Sequence, residues 1–80
     1  TTKVLIEHGW QDPMAKPEDV LAIAKEMGSA GADWRLNAHG KAVHSFTTQG
    51  ANNRAGGTEY DADADRRSFA SLKDFLSEMF

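Results

Sequence analysis

The sequence predicts an α/β fold in which parallel strands alternate with helices. Three stretches indicate it. The aliphatic run Val4-Leu5-Ile6 is typical of a buried strand, residues 17–30 carry apolar side chains at helical spacing, and residues 32–38 alternate between apolar and polar side chains. A strand, helix and strand with short links form a right-handed βαβ unit, so the two strands should be parallel.

The first strand should end before Pro13, whose nitrogen has no hydrogen to donate to a sheet. Asp12 then lies just past the strand end. In open α/β sheets the functional groups lie in the crevice at the carboxyl ends of the strands, which makes Asp12 a candidate acid. Asp-Pro pairs are also common in turns, and the residues alone favour a turn former.

The first helix should begin at Pro17, where the missing amide hydrogen is no disadvantage. Glu18 and Asp19 place negative charge at the positive end of the helix dipole. Gly28 and Gly31 end the helix, which should cover residues 17–30. Its apolar face consists of Val20, Ile23, Ala24 and Met27.

After the second strand, Gly40 turns the chain into residues 41–47, which present His44. The simpler interpretation of His44 is a half-buried histidine bonded to backbone. Residues 49–64 are rich in turn formers and should form a surface loop that is functional or disordered, with Tyr60 holding it in place.

A last helix should run from about Asp65 and lie on the sheet. Its first residues include the pair Arg66-Arg67, most simply a solvated helix start, although one arginine could hold the neighbouring acids. We expect the apolar stripe of this helix to be core, and the two tryptophans to be core or pocket wall, with core preferred. These residues are Phe69, Leu72, Leu76, Met79, Trp10 and Trp34.

Composition describes one small domain or part of a larger one, with 80 residues and a net charge of -3. The acidic balance argues against nucleic-acid binding, and no segment approaches membrane-spanning length. The absence of cysteine excludes disulfides and a cysteine nucleophile within these residues.

A cytoplasmic location is the expectation. The edges of a two-stranded parallel sheet need cover, so the chain should pair with a copy of itself or with sequence that precedes it.

Other chemistry is weaker in this sequence. Ser45 adjoins His44, but neighbours in sequence rarely reach attack geometry. Four residues have the right chemistry for a metal site but lack a metal-binding spacing, namely His8, His39, His44 and Asp12. We therefore predict no metal and no cofactor. A small-molecule binding module would depend only on the aromatics Trp10, Trp34, Phe46 and Tyr60.

Several motifs together resemble the C-terminal part of dienelactone hydrolase family proteins, which belong to the α/β-hydrolase superfamily. They are Val-Leu-Ile-x-His-Gly-x-x-Asp-Pro at residues 4–13, Gly-Ala-Asp-Trp at residues 31–34, Ala-Val-His-Ser-Phe-Thr at residues 42–47, and Tyr60 followed by Ala-Asp-Arg-Arg-Ser at residues 64–68. The motifs agree in order and spacing over nearly the whole chain. One departure is Glu7, a charge where the family more usually has an uncharged residue.

The resemblance implies that Asp12 is the acid and His44 the base of a catalytic triad. Their order agrees with α/β hydrolases, in which the nucleophile comes first, then the acid, then the histidine. No G-x-S-x-G nucleophile motif is present; Gly-Ser-Ala-Gly at residues 28–31 has the wrong spacing. Residues 1–80 would be a single partial domain that lacks the nucleophile-bearing half.

The predicted function is therefore the C-terminal part of a hydrolase for a carboxylic ester or lactone. An upstream serine or cysteine would be the nucleophile, and the isolated chain should be close to inactive. The alternative is a non-catalytic α/β module that associates with itself.

Overall fold

A computed structural model describes residues 2–80 and has a parallel two-stranded sheet at its centre. Strand β1 spans Lys3–Gly9 and β2 spans Asp33–His39, paired in register from one end to the other. Helix α1, Pro17–Ser29, connects them. Helix α2, Ala62–Ser77, closes the chain. The predicted α/β class and its parallel βαβ unit are confirmed.

The two helices lie on opposite faces of the sheet. Side chains alternate between faces along a strand, and Ile6 and His8 line a groove with Val20 of α1. On the other face, Leu5 lines a groove with Phe69 of α2. Beyond the carboxyl end of β2, Ala42 and Phe46 form a buried cluster with Ala64 in the first turn of α2.

The segment between β2 and α2 is more regular than the predicted surface loop. Strands β3, Asn52–Asn53, and β4, Thr58–Glu59, pair in antiparallel fashion around a short 3-10 helix, Arg54–Gly56. The Asn53 side chain accepts a hydrogen bond from the Gly56 amide. Elements this short leave no periodicity in a sequence, and for that reason the prediction of a loop over residues 49–64 is wrong for its middle part.

Helix α2 begins three residues earlier than expected, because Asp61 caps it. The Asp61 side chain accepts a hydrogen bond of 3.0 Å from the Ala64 amide. Tyr60 precedes the cap, and its hydroxyl donates to Asp65 at 2.7 Å. Tyr60 therefore holds the end of the connecting segment against the first turn of the helix.

The core of the described residues is small. Its buried apolar side chains are Val20, Ala24, Ala42, Val43, Phe46 and Ala64. The prediction that the stripe on α2 and the tryptophans are core is wrong, because each of these side chains is at least 36% exposed: Trp10, Trp34, Phe69, Leu72, Leu76 and Met79. For the stripe on α2 the reason is geometric, since two strands offer too little surface to cover a whole helix. No helix within residues 2–80 is long and apolar enough to cross a membrane.

Candidate active site

Asp12 and His44 meet at the carboxyl ends of the strands. The Asp12 Oδ2 atom lies 3.0 Å from Nδ1 of His44, although the residues are 32 positions apart in sequence. A carboxylate only accepts hydrogen bonds, so the imidazole carries its hydrogen on Nδ1. In the neutral ring Nε2 is then the basic nitrogen, and it can take a proton from a group placed beside it.

Asp12 is held as an ionised carboxylate. Its side chain is 7% exposed, while Oδ1 accepts hydrogen bonds from the amides of Met14 at 2.8 Å and Ala15 at 3.3 Å. Burial raises the pKa of Asp12, but the hydrogen bonds from Met14, His44 and Ala15 outweigh it, and the net pKa lies below its ordinary value. A charged Asp12 can stabilise a protonated imidazole at His44.

The acid loop is fixed to the segment that carries His44. The amide of Gln11 donates to the carbonyl of Ala42 at 2.9 Å, and the amide of Asp12 donates back to Gly9 at 3.0 Å. Glycine is required at position 9, because an added Cβ would lie 2.5 Å from the carbonyl oxygen of Val43. The absence of a side chain at Gly9 brings the two functional loops together.

The backbone of His44 is held on its other side by β4 and by Gly57, the residue before it. Its amide donates to the Gly57 carbonyl at 3.0 Å, and its carbonyl accepts from the Glu59 amide at 3.2 Å. Ser45 then adopts a positive φ of 63°, a conformation that few residues other than glycine take up. The chain reverses there and leaves the His44 side chain 45% exposed at the site.

The other predicted metal-ligand candidates lie elsewhere. His39 Nε2 lies 3.0 Å from Oε2 of Glu7 on the face toward α2. His8 is buried on the opposite face, where its Nε2 lies 2.6 Å from the Ala15 carbonyl. Within residues 2–80, no three histidine, aspartate or glutamate side chains are grouped so that they could hold a metal ion.

Glu7 belongs to a second carboxylate–histidine pair that sequence reasoning missed. Besides its contact with His39, Glu7 accepts a hydrogen bond of 2.9 Å from the side-chain amide of Asn37. The same amide nitrogen also donates to the Ser71 hydroxyl of α2 at 3.0 Å. The signal was present in the sequence. Glu7, Asn37 and His39 occupy alternate positions on paired strands, so a parallel register brings them to one face.

This arrangement of strands and helices is part of an α/β-hydrolase fold. A solved dienelactone hydrolase-like promiscuous phosphotriesterase from metagenomic libraries superimposes with a TM-score of 0.90 and 37% identity, over 98% of this chain and 33% of that one. A second solved structure, m3DLH, superimposes with a TM-score of 0.87 and 31% identity over the same shares of the two chains.

The profile of the dienelactone hydrolase family matches residues 1–80. The chain is 36% identical over 78 residues to the uncharacterised protein K02A2.1 of Caenorhabditis elegans, which covers 96% of this chain. The chain belongs to the dienelactone hydrolase family. It spans 49% of the length of that curated relative and 33% of each of the two solved structures.

Proposed function

We propose that this chain carries the acid and the base of a hydrolase for carboxylic esters or lactones, with the nucleophile outside residues 1–80. The observation on which this depends is the 3.0 Å contact between Asp12 Oδ2 and His44 Nδ1. "Whole protein" below means these residues together with the part of the polypeptide that contains the nucleophile.

In the first half-reaction, Nε2 of His44 takes the proton of a serine hydroxyl or cysteine thiol, and the freed oxygen or sulfur bonds to the substrate carbonyl carbon. The carbonyl re-forms as the ester C–O bond breaks, and the leaving alkoxide receives that proton from Nε2. Asp12 stabilises the imidazolium between the two transfers. The product is an alcohol and an acyl-enzyme.

In the second half-reaction, Nε2 takes a proton from water, and the resulting hydroxide attacks the acyl carbon. The bond to the nucleophile breaks, the proton returns from Nε2 to the nucleophile, and a carboxylic acid leaves. A lactone gives one product that carries both the acid and the alcohol. In this proposal residues 1–80 contain the base but not the nucleophile that it deprotonates, so by themselves they should be close to inactive.

The test compares hydrolysis of a small aryl ester by the whole protein and by two histidine variants. His44→Ala should lower kcat by about 10³-fold or more, because removal of any triad member leaves only the residual catalysis of the rest of the site. His39→Gln is the matched control: this histidine also contacts a carboxylate at 3.0 Å but lies on the α2 face. Equal rates for the wild type and His44→Ala would exclude the proposed role.

Phosphotriester hydrolysis is a second candidate, because the solved relative at 37% identity is described as a promiscuous phosphotriesterase. A triad nucleophile can attack a phosphorus centre as it attacks a carbonyl carbon. An aryl phosphotriester measured beside the aryl ester would rank the two by kcat/KM. The ester is expected to have the higher value.

The non-catalytic alternative is favoured by a different observation, the exposed apolar side chains on both helices. They include Leu21, Ile23, Phe69, Leu72 and Leu76. In a self-associating module a second copy would cover them. Sedimentation of the 80-residue chain discriminates: a folded monomer at low concentration would count against self-association, whereas a stable dimer without ester hydrolysis in the whole protein would favour it.

A further inference from the structure

We infer that His8 is a positioning residue for the acid of this site, and that it acts through the backbone of Ala15. The inference deepens the proposed function, because it concerns how Asp12 is held in place to orient His44. His8 touches neither the reacting atoms nor His44 in the hydrogen-bond pattern of residues 2–80. Its effect on chemistry would be indirect.

Three hydrogen bonds, with the backbone of Ala15 between the first two, connect His8 to Asp12 and Asp12 to His44. His8 Nε2 lies 2.6 Å from the Ala15 carbonyl, and the Ala15 amide donates to Oδ1 of Asp12 at 3.3 Å. The other oxygen of Asp12 then accepts from Nδ1 of His44 at 3.0 Å. Ala15 is thus held at both its carbonyl and its amide, and Asp12 at both its oxygens.

The chemistry of the carbonyl fixes the state of the His8 ring. A carbonyl only accepts, so Nε2 must carry the hydrogen and donate it. The hydrogen bond closes the loop of residues 9–15 across its mouth, from the end of β1 to the residue that leads toward α1. Without it, the Ala15 peptide would keep only its longer contact to Asp12.

The orientation of the His8 ring leaves one of its buried nitrogens without a hydrogen bond to the described part of the chain, which is unfavourable for stability. His8 is 5% exposed, and its Nδ1 is buried with no hydrogen-bond partner among residues 2–80. An apolar side chain at this position would fill the space without a buried unsatisfied atom. The hydrogen bond to Ala15 is what the histidine adds over such a side chain. The edge contact with the Trp10 ring, at a centroid distance of 5.8 Å, further limits rotation of the imidazole.

Two variants of the whole protein separate the hydrogen bond from packing. His8→Phe keeps a ring of similar shape but cannot donate to Ala15. His8→Gln places an amide nitrogen at about the reach of Nε2 and can restore the donor. We expect His8→Phe to lower kcat by about 10- to 100-fold, as misplacement of a catalytic group does, with KM changed less than about threefold. His8→Gln should recover most of kcat.

A second readout does not require activity. The Nδ1 hydrogen of His44, bonded to Asp12, gives a low-field proton resonance, which should be lost or shifted in His8→Phe and retained in His8→Gln. This measurement decides the inference even if the whole protein hydrolyses no ester, so the two proposals can fail separately. His8→Asn, whose amide is too short to reach Ala15, replaces His8→Phe if that variant does not fold.

The inference is overturned if His8→Phe retains both kcat and the His44 resonance. It is also overturned if His8→Phe lowers only the melting temperature, with kcat per folded molecule unchanged, since that result describes packing alone. Failure of His8→Gln to recover either signal would equally exclude the hydrogen bond as the cause.

Discussion

Replacement of Gly9 by alanine tests whether the contact between the two functional loops positions the site. The added Cβ would lie 2.5 Å from the Val43 carbonyl oxygen and 3.0 Å from that of Ala42. Ordinary van der Waals separation is about 3.5 Å, so the backbone must move by roughly 1 Å. Both obstructing atoms belong to the main chain, and no side-chain rotation can relieve the contact.

The expected loss of stability follows from two opposing effects. Overpacking of this kind costs roughly 1–3 kcal/mol. Exchange of glycine for alanine restricts the unfolded chain and returns about 0.4–1 kcal/mol. The free energy of unfolding should therefore fall by about 1–2 kcal/mol. Since the displaced segment carries His44, kcat for ester hydrolysis by the whole protein should fall by about 10- to 100-fold as well.

Chemical denaturation and steady-state kinetics of the whole protein measure both effects, and Gly40→Ala is the matched control. A Cβ at Gly40 would meet nothing within 4 Å, although the residue lies in the turn that precedes the same segment. Gly40→Ala should keep kcat and be neutral or slightly more stable. If Gly9→Ala behaves like Gly40→Ala, the close approach of the two loops has no energetic consequence and the reasoning is wrong.

Three further predictions concern single polar groups. The folded-state pKa of Asp12 is depressed, so the stabilisation by its carboxylate is complete above the unfolded pKa of about 3.9 and is lost as pH falls through the folded pKa. The difference in unfolding free energy between wild type and Asp12→Asn should therefore shrink from about pH 7 to about pH 3. A constant difference would contradict this prediction. The hydrogen bond to Asp65, and to a smaller extent burial, raises the pKa of Tyr60, which is the single tyrosine of residues 1–80. The phenol absorbance of Tyr60, measured as the difference between wild type and Tyr60→Phe, should therefore titrate above pH 10. In Asp65→Asn the same absorbance should titrate at a lower pH. Glu7→Leu leaves the largely buried His39 without its carboxylate and should lower the unfolding free energy by about 1–3 kcal/mol in denaturation, whereas an unchanged value would show that the pair adds nothing.

Local pattern was enough to predict the first half of the chain. The limits of α1 and β2 lie within one residue of those predicted, and β1 contains the predicted aliphatic run and ends before Pro13, because Pro17 and that run act on their immediate neighbours. The start of α2 was missed. There a short polar side chain, Asp61, caps a turn of small and acidic residues that lack an apolar periodicity.

For the candidate site as well, one part could be predicted from the sequence and another could not. The positions of Asp12 and His44 at strand ends follow from the sequence, and the family resemblance implied their roles, which stay a prediction until tested. The contacts that hold them do not follow. Two of these contacts join residues distant in sequence: the close approach of Gly9 to the Val43 carbonyl, and the hydrogen bond from the His44 amide to the Gly57 carbonyl. Only the folded chain shows which glycines have no room for a side chain.

The sequence by itself determined the parallel strand–helix–strand unit and placed an acid and a histidine on loops after consecutive strands. Hydrophobic periodicity and proline act over a few residues, so both can be deduced without coordinates. Only the tertiary structure decided that Nδ1 of His44 meets the Asp12 carboxylate, and that His8 and His39 lie on opposite faces of the sheet. Strand register and the close approach of loops set those distances, because they depend on packing across the whole chain.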